Sequence, residues 1–277
     1  MLSTPINPHL YNKLAIKIRN FFHKEGLIEA YYGNVLNVLA ACEDVKNLAT
    51  FTFANTLFPQ VQTSQMNLEA TILEDNSDYG FFSFATSFRE EKNIVPGRHD
   101  MVFLLFEFEI PGDMNELIAF EKRFLKHLGF KDEWFTEVNY MDMCEKYGVS
   151  ELTHEHEQRM CEDFTPVVFL KYFPAEESFW NMKRCDHDKK LVSKIDVIIK
   201  GQESIGSAER SCNRDEMRDA FHQTSDGEYA GNLYKLFGED RVEKELDEYL
   251  AHNFKVRSGA GIGSTRLIRG MKLLGLL

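Results

Sequence analysis

The chain is 277 residues long, 43% hydrophobic and 27% charged, a balance that builds a sizeable core and excludes disordered, collagen-like and disulfide-framework chains. With 32 basic residues against 44 acidic ones the formal charge is −12, which excludes a chain whose affinity rests on a basic surface gripping a nucleic-acid backbone. A few arginines inside a cleft can still hold a small polyanion, because contacts at short range act whatever the total charge.

The first residues, MLSTPINPHLYNK, lack the charged-then-apolar order of a secretory signal, and no run approaches the ~20 apolar residues of a membrane span. A cytoplasmic location with no membrane partner is expected. The cysteines at 42, 144, 161, 185 and 212 are scattered without a C-x-x-C pair and read as reduced thiols. Residues 10–30 place Leu14, Ile18, Phe21 and Phe22 at helical spacing and reach Gly26, which predicts a helix, a stop and a strand. FFSFATSFRE from Phe81, the polar EKNIVPGRHD and MVFLLFEFEI predict a long antiparallel hairpin around Pro96 and Gly97. The alternation from Phe106 to Glu109 puts two rings on one strand face and two acids on the other. Residues 114–129 and 236–252 read as helices, and 166–173 and 191–199 as buried strands. With no repeat or linker, one α+β domain over residues 1–277 is expected, an antiparallel sheet flanked by helices.

Four pieces of sequence carry chemistry. Arg89, Glu91, Arg98 and His99 bracket the hairpin loop and offer fork-shaped donors suited to phosphate oxygens, with one acid able to accept from an amine. Asp196 and Glu203 stand seven residues apart around a Lys200-Gly201 turn, so neighbouring strands can present both carboxylates to one magnesium ion, and Arg210 can meet a substrate carboxylate. Gly259, Gly261 and Gly263 form a ladder that bares one face of a strand, with Arg266 at the start of the final helix aimed at that face. The ladder is no dinucleotide fingerprint, since no βαβ unit with a following acid surrounds it. His154-Glu155-His156 is a weak metal candidate, because residues two apart share a face only on a strand and this text reads as helix or loop.

The order of these pieces, F-R-x-E with a later R-H, then D-x6-E-x6-R, then G-x-G-x-G-x-x-R, resembles the class II aminoacyl-tRNA synthetase catalytic domain of the aspartyl, asparaginyl and lysyl subgroup. The likeness runs from about residue 12 to 277, and Thr63 to Ala70 resembles the flexible substrate-side segment of asparaginyl-type enzymes. The resemblance implies a bent ATP with magnesium. Arg89 would hold the α-phosphate, Phe103 would stack on adenine, and Arg266 would pin its other face and the γ-phosphate, over the bare Gly261 and Gly263. Arg98 and His99 would meet the β- and γ-phosphates, Glu91 the adenine amino group, and Asp196 with Glu203 the metal. Ser64, Gln65 and Glu43 would surround the amino acid's ammonium group, and Arg210 the side-chain end of Asp or Asn.

Where the aspartyl members carry a lysine after Gln65 this chain has Leu68, a proline closing the first motif is Gly33, and a serine three residues after Glu203 is Gly206. The family's homodimer is implied. The anticodon-binding domain that precedes the catalytic domain in tRNA-charging members is not expected, since about a dozen residues lie before the first helix. The reading is therefore a stand-alone ligase resembling asparagine synthetases related to asparaginyl-tRNA synthetase. It would adenylate an Asp- or Asn-like amino acid, release pyrophosphate and pass the product to a non-tRNA acceptor such as ammonia, with tRNA binding weak or absent. The alternatives are a catalytically silent regulatory or scaffold module and a minimal tRNA charger.

Overall fold

The structure, a computed structural model, describes residues 3–33, 37–39, 45–75, 78–92 and 100–277. Helix α1 (Pro8–Lys24) starts where the Asn7 side chain accepts from the His9 and Leu10 amides with proline at the first turn, and it buries Leu14, Ile18, Phe21 and Phe22. Gly26 turns the chain at φ +88 into the short strand β1 (Ile28–Glu29), which pairs in parallel with β4 (Phe81–Phe88). The predicted hairpin is β4 with β5 (Val102–Pro111), antiparallel, with Phe84 opposite Phe106 and Phe82 opposite Phe108. Helix α2 (Gln65–Glu74) follows a small hairpin, β2 (Thr50–Phe53) and β3 (Thr56–Pro59).

Helix α3 (Met114–Leu128) is capped by Asp113 and closed by Gly129 in the left-handed region, as the sequence predicts. Strand β6 (Phe135–Asn139) and helices α4 (Tyr140–Tyr147) and α5 (His154–Asp163) precede β7 (Val167–Pro174), and β8 (Leu191–Ile199) and β9 (Gln202–Glu209) form the second hairpin. Helices α6 (Arg214–Gln223), α7 (Glu228–Phe237) and α8 (Glu239–Leu250) lead to β10 (Arg257–Gly263) and α9 (Ser264–Leu273). The helix expected over 236–252 is thus shorter at both ends. Gly238 at φ +86 separates α7 from α8, so residues 236 and 237 belong to the preceding helix.

Eight strands make one mainly antiparallel sheet in the order β1, β4, β5, β10, β9, β8, β7, β6. One face is sealed by α1, α3 and α9 through a core of Phe22, Phe82, Phe106, Phe108, Phe124, Ile195, Val197, Ala260 and Ile262. A second core under α6, α7 and α8 gathers Trp180, Phe221, Leu233 and Leu246. The other sheet face is covered at its β7–β8 end by α4 and α5, which bury Val168, Leu170 and Ile198, and along β4–β5 by α2, with an open stretch between them. Among the described residues no helix is long and apolar enough to cross a membrane.

Candidate active site

Strand register builds the floor. Glu107, Gly261, Gly206 and Asp196 are consecutive partners across β5, β10, β9 and β8. Two glycines at the centre of that row leave a trough roughly 14 Å across between the acids, three strand spacings wide. A cavity of about 300 Å³ lies over it, lined among others by Gln65, Arg89, Phe103, Glu203, Arg210 and Arg266.

At one end Phe103 and Leu105 continue β5, and the Arg89 guanidinium stands over the Phe103 ring with 5.7 Å to its centroid. Glu91 lines the same end and accepts from the Asn47 amide at 3.3 Å. Gly263 ends β10 and Arg266 follows in the first turn of α9, where its Nη1 donates to the Glu203 main-chain oxygen at 3.2 Å and meets that carboxylate at 3.4 Å. A flat ring with guanidinium groups on both sides of the trough suits a purine carrying phosphates.

At the middle, Asp196 and Glu203 face the bare position of Gly206. A Cβ at Gly206 would sit 3.0 Å from Glu203 Oε1 and 3.9 Å from Asp196 Oδ1, so both acids border one space. Burial raises the Asp196 carboxyl to about 7, against the pull of Lys194 and with a push from Glu203. Both of its oxygens lie 3.2 Å from the Lys194 ammonium. Two hard oxygen donors bordering one space suit a magnesium ion, which would draw its remaining ligands from phosphates and water.

At the other end, the Gln65 amide donates to Glu109, and Thr63 Oγ1 and the Ser64 amide donate to Glu107, the latter at 2.8 Å. Arg210 Nε lies 3.4 Å from Glu69 and 3.5 Å from Glu109, and Arg257 Nη2 donates to Glu69 at 2.7 Å and to Tyr249 at 2.8 Å. Asn181 adds a third donor to Glu69 at 2.8 Å. Burial would raise Glu69, but Arg210 and Arg257 hold it below the usual carboxylate range. Burial carries Glu109 up to about 8, because Arg210 offsets desolvation only in part and Glu69 repels it. Gly259 stands opposite Glu109, and a side chain there would occupy the space of the Glu109 carboxylate, the Gln65 amide and the Phe108 carbonyl.

Of the residues singled out in the sequence, Gln65, Arg89, Glu91, Phe103, Glu203, Arg210, Gly261, Gly263 and Arg266 all line the one cavity. Ser64 is not among its lining residues but donates its main-chain N–H to the lining Glu107, and Asp196 stands beside its lining residues Lys194, Glu203 and Gly206. Glu43, Arg98 and His99 lie outside the described residues. Residues 63–70 run into α2, with Leu68 and Glu69 fully buried. His156 accepts from the Thr153 amide at 2.9 Å and so caps its own helix. Lys194, Glu69 and Arg257 were not singled out. Lys194 had a detectable signal, a charge two residues before Asp196 in an otherwise apolar strand. Glu69 and Arg257, from α2 and β10, are brought together only by the fold.

The family model of class II tRNA synthetases (D, K and N) matches residues 10–275. The chain belongs to this family. A relative, a cytoplasmic asparagine–tRNA ligase of Dictyostelium discoideum, is 26% identical over 253 residues, covering 74% of this chain and 38% of its own length. Asparaginyl-tRNA synthetase from Pyrococcus horikoshii, complexed with asparaginyl-adenylate, superposes with a TM-score of 0.76 at 22% identity over 95% of this chain and 64% of that one. The Entamoeba histolytica asparaginyl-tRNA synthetase with asparaginyl-adenylate gives 0.75 at 19% identity, over 96% and 63%. The class II chain therefore spans less than two thirds of each of these relatives, and at these identities the solved structures show the shared fold.

Proposed function

We propose that the cleft activates an Asp- or Asn-like amino acid with ATP, forming an aminoacyl adenylate and pyrophosphate. The supporting observation is the convergence of Arg89, Phe103, Glu203 and Arg266 with Gln65 and Arg210 around one cavity. Phe103 and Arg266 would hold the adenine, Arg89 the α-phosphate, Glu107 and Gln65 the ammonium group, and Arg210 the side-chain oxygen. A substrate carboxylate oxygen then bonds to the α-phosphorus while the bond from that phosphorus to the bridging oxygen breaks, and pyrophosphate leaves with the electron pair. Asp196 and Glu203 would hold magnesium, which neutralises charge on the leaving phosphates. The protein's own part is alignment of the two substrates and fixed positive charge around the phosphorus.

Glu69 and Glu109 against Arg210 and Arg257 give a cluster that is neutral with Glu109 ionised and carries one positive charge with it protonated. It therefore accepts a carboxamide in either state and a carboxylate best with the proton on Glu109. The acceptor reading rests on charge: with 44 acids against 32 basic residues the chain repels a tRNA backbone overall, so a small nucleophile such as ammonia is favoured, and a homodimer of the family's kind accompanies this reading. Pyrophosphate–ATP exchange measured across all twenty amino acids is the test. Exchange driven by one amino acid supports activation, and its absence with all twenty favours a silent binding module. Charging of total tRNA at the rate of an ordinary synthetase would overturn the acceptor assignment.

A further inference from the structure

Lys194 has no part in the reading so far, yet it lines the cavity from β8. Its neighbours Ile195, Val197 and Ile199 point into the core, so strand alternation sends Lys194 and Asp196 to the open face. The ammonium lies 3.2 Å from each Asp196 oxygen and 4.0 Å above the centre of the Phe173 ring. Arg266 holds Glu203 in the same way from the opposite side. The four groups thus form a sequence of charges, cation, acid, acid, cation, around the bare Gly206. With both acids ionised and nothing between them this strip is neutral. A divalent ion between them changes its total to two positive charges and releases both side chains from their carboxylates.

Resting on the reading of the cleft as a nucleotide site, the geometry points to Lys194 as a phosphate-binding cation, held on Asp196 until a divalent metal takes that carboxylate and then turned onto the nucleotide's phosphate chain. Lysine suits this exchange because its charge is compact and rides on four flexible methylenes, whereas a guanidinium would be held by its fork. Phe173 supplies the apolar wall along which the stem pivots. The arrangement couples metal and nucleotide: each arrives more readily once the other has disturbed the ion pair.

Calorimetry on the full chain, with the parent, Lys194→Met and Lys194→Arg, tests this. With magnesium present, Lys194→Met should bind ATP about tenfold more weakly while adenosine binds within about twofold of the parent, and Lys194→Arg should recover only part of the loss, because its fork keeps hold of Asp196. Manganese alone should bind several-fold more tightly to Lys194→Met, since the competing ammonium is gone. Unchanged ATP affinity overturns the proposal, and so does an equal loss for ATP and adenosine, which marks a structural role. A parent that binds neither ligand overturns the nucleotide reading of the cleft and this assignment with it. A parent that binds both, with an indifferent Lys194→Met variant, overturns only the role of Lys194.

Discussion

Arg266 Nη1 lies 3.2 Å from the main-chain oxygen of Glu203 and 3.4 Å from its carboxylate, so the first turn of α9 is tied to the tip of the β8–β9 hairpin. One side chain thereby fixes the distance between the proposed adenine end and the proposed metal acids.

Removing that tie, or its counterpart over Phe103, should cost activity without costing the fold. Arg266→Ala and Arg89→Ala are each expected to lower pyrophosphate exchange by one to two decades or more, since each charge-assisted contact is worth ~1.5–3 kcal/mol. Circular dichroism should remain that of the parent. Near-normal exchange in both variants would remove these arginines from the mechanism.

The Glu69–Arg257 pair is fully buried, so removing Arg257 leaves the Glu69 carboxylate with Arg210 as its one cationic partner in a cluster closed to water. Arg257→Met should destabilise the chain by ~3–5 kcal/mol in urea denaturation. The double variant Glu69→Leu/Arg257→Met should recover much of that loss, because the buried carboxylate that lost its closest cation is then gone. A single variant as stable as the parent would mean that water reaches the pair.

Glu121 on α3 is buried against the sheet and its carboxyl is pushed by desolvation from 4.5 up to about 8, only partly offset by Ser207 and further raised by Asp196. Between those two values the folded chain keeps a proton that the unfolded chain has released, so stability from this group is greatest at low pH and falls as pH rises through the interval. Glu121→Gln should remove the decline and become increasingly more stable than the parent toward about pH 8, at up to ~1.4 kcal/mol per pH unit. Parallel urea-midpoint curves for the two proteins would refute this.

Glu109 gives the amino-acid end its own pH signature. As pH rises through about 8 the carboxyl ionises and the cluster with Glu69, Arg210 and Arg257 becomes neutral. Aspartate affinity should then fall, while asparagine affinity stays level. Titration calorimetry on either side of that pH reads the difference, and equal behaviour of the two amino acids would show that Glu109 does not sense the side chain.

The strands and the signature motifs were legible because their signals are local. Phe106 to Glu109 declares two faces by alternation, and Gly259 to Gly263 declares a bare one. The consequences of placement were not local. Glu107 and Glu109 read as acids on a strand face, and only the packing of α2 against that strand turns them into buried acceptors for Ser64 and Gln65. Arg210 read as a cation for a substrate, and its pairing with Glu69 and Glu109 depends on three separate elements meeting. The boundary at Gly238 was missed because α7 and α8 share a mixed charge pattern across it, and a single glycine is a weak stop without its backbone angle.

Strand β10 is the last strand in chain order but lies between β5 and β9 in the interior of the sheet. During synthesis, therefore, β5 and β9 each wait with an open edge until residue 263 has emerged. The two halves of the cleft cannot be joined before then. A nascent chain spends that interval with strand edges able to pair wrongly, and closure depends on contacts far apart in sequence, the slow kind.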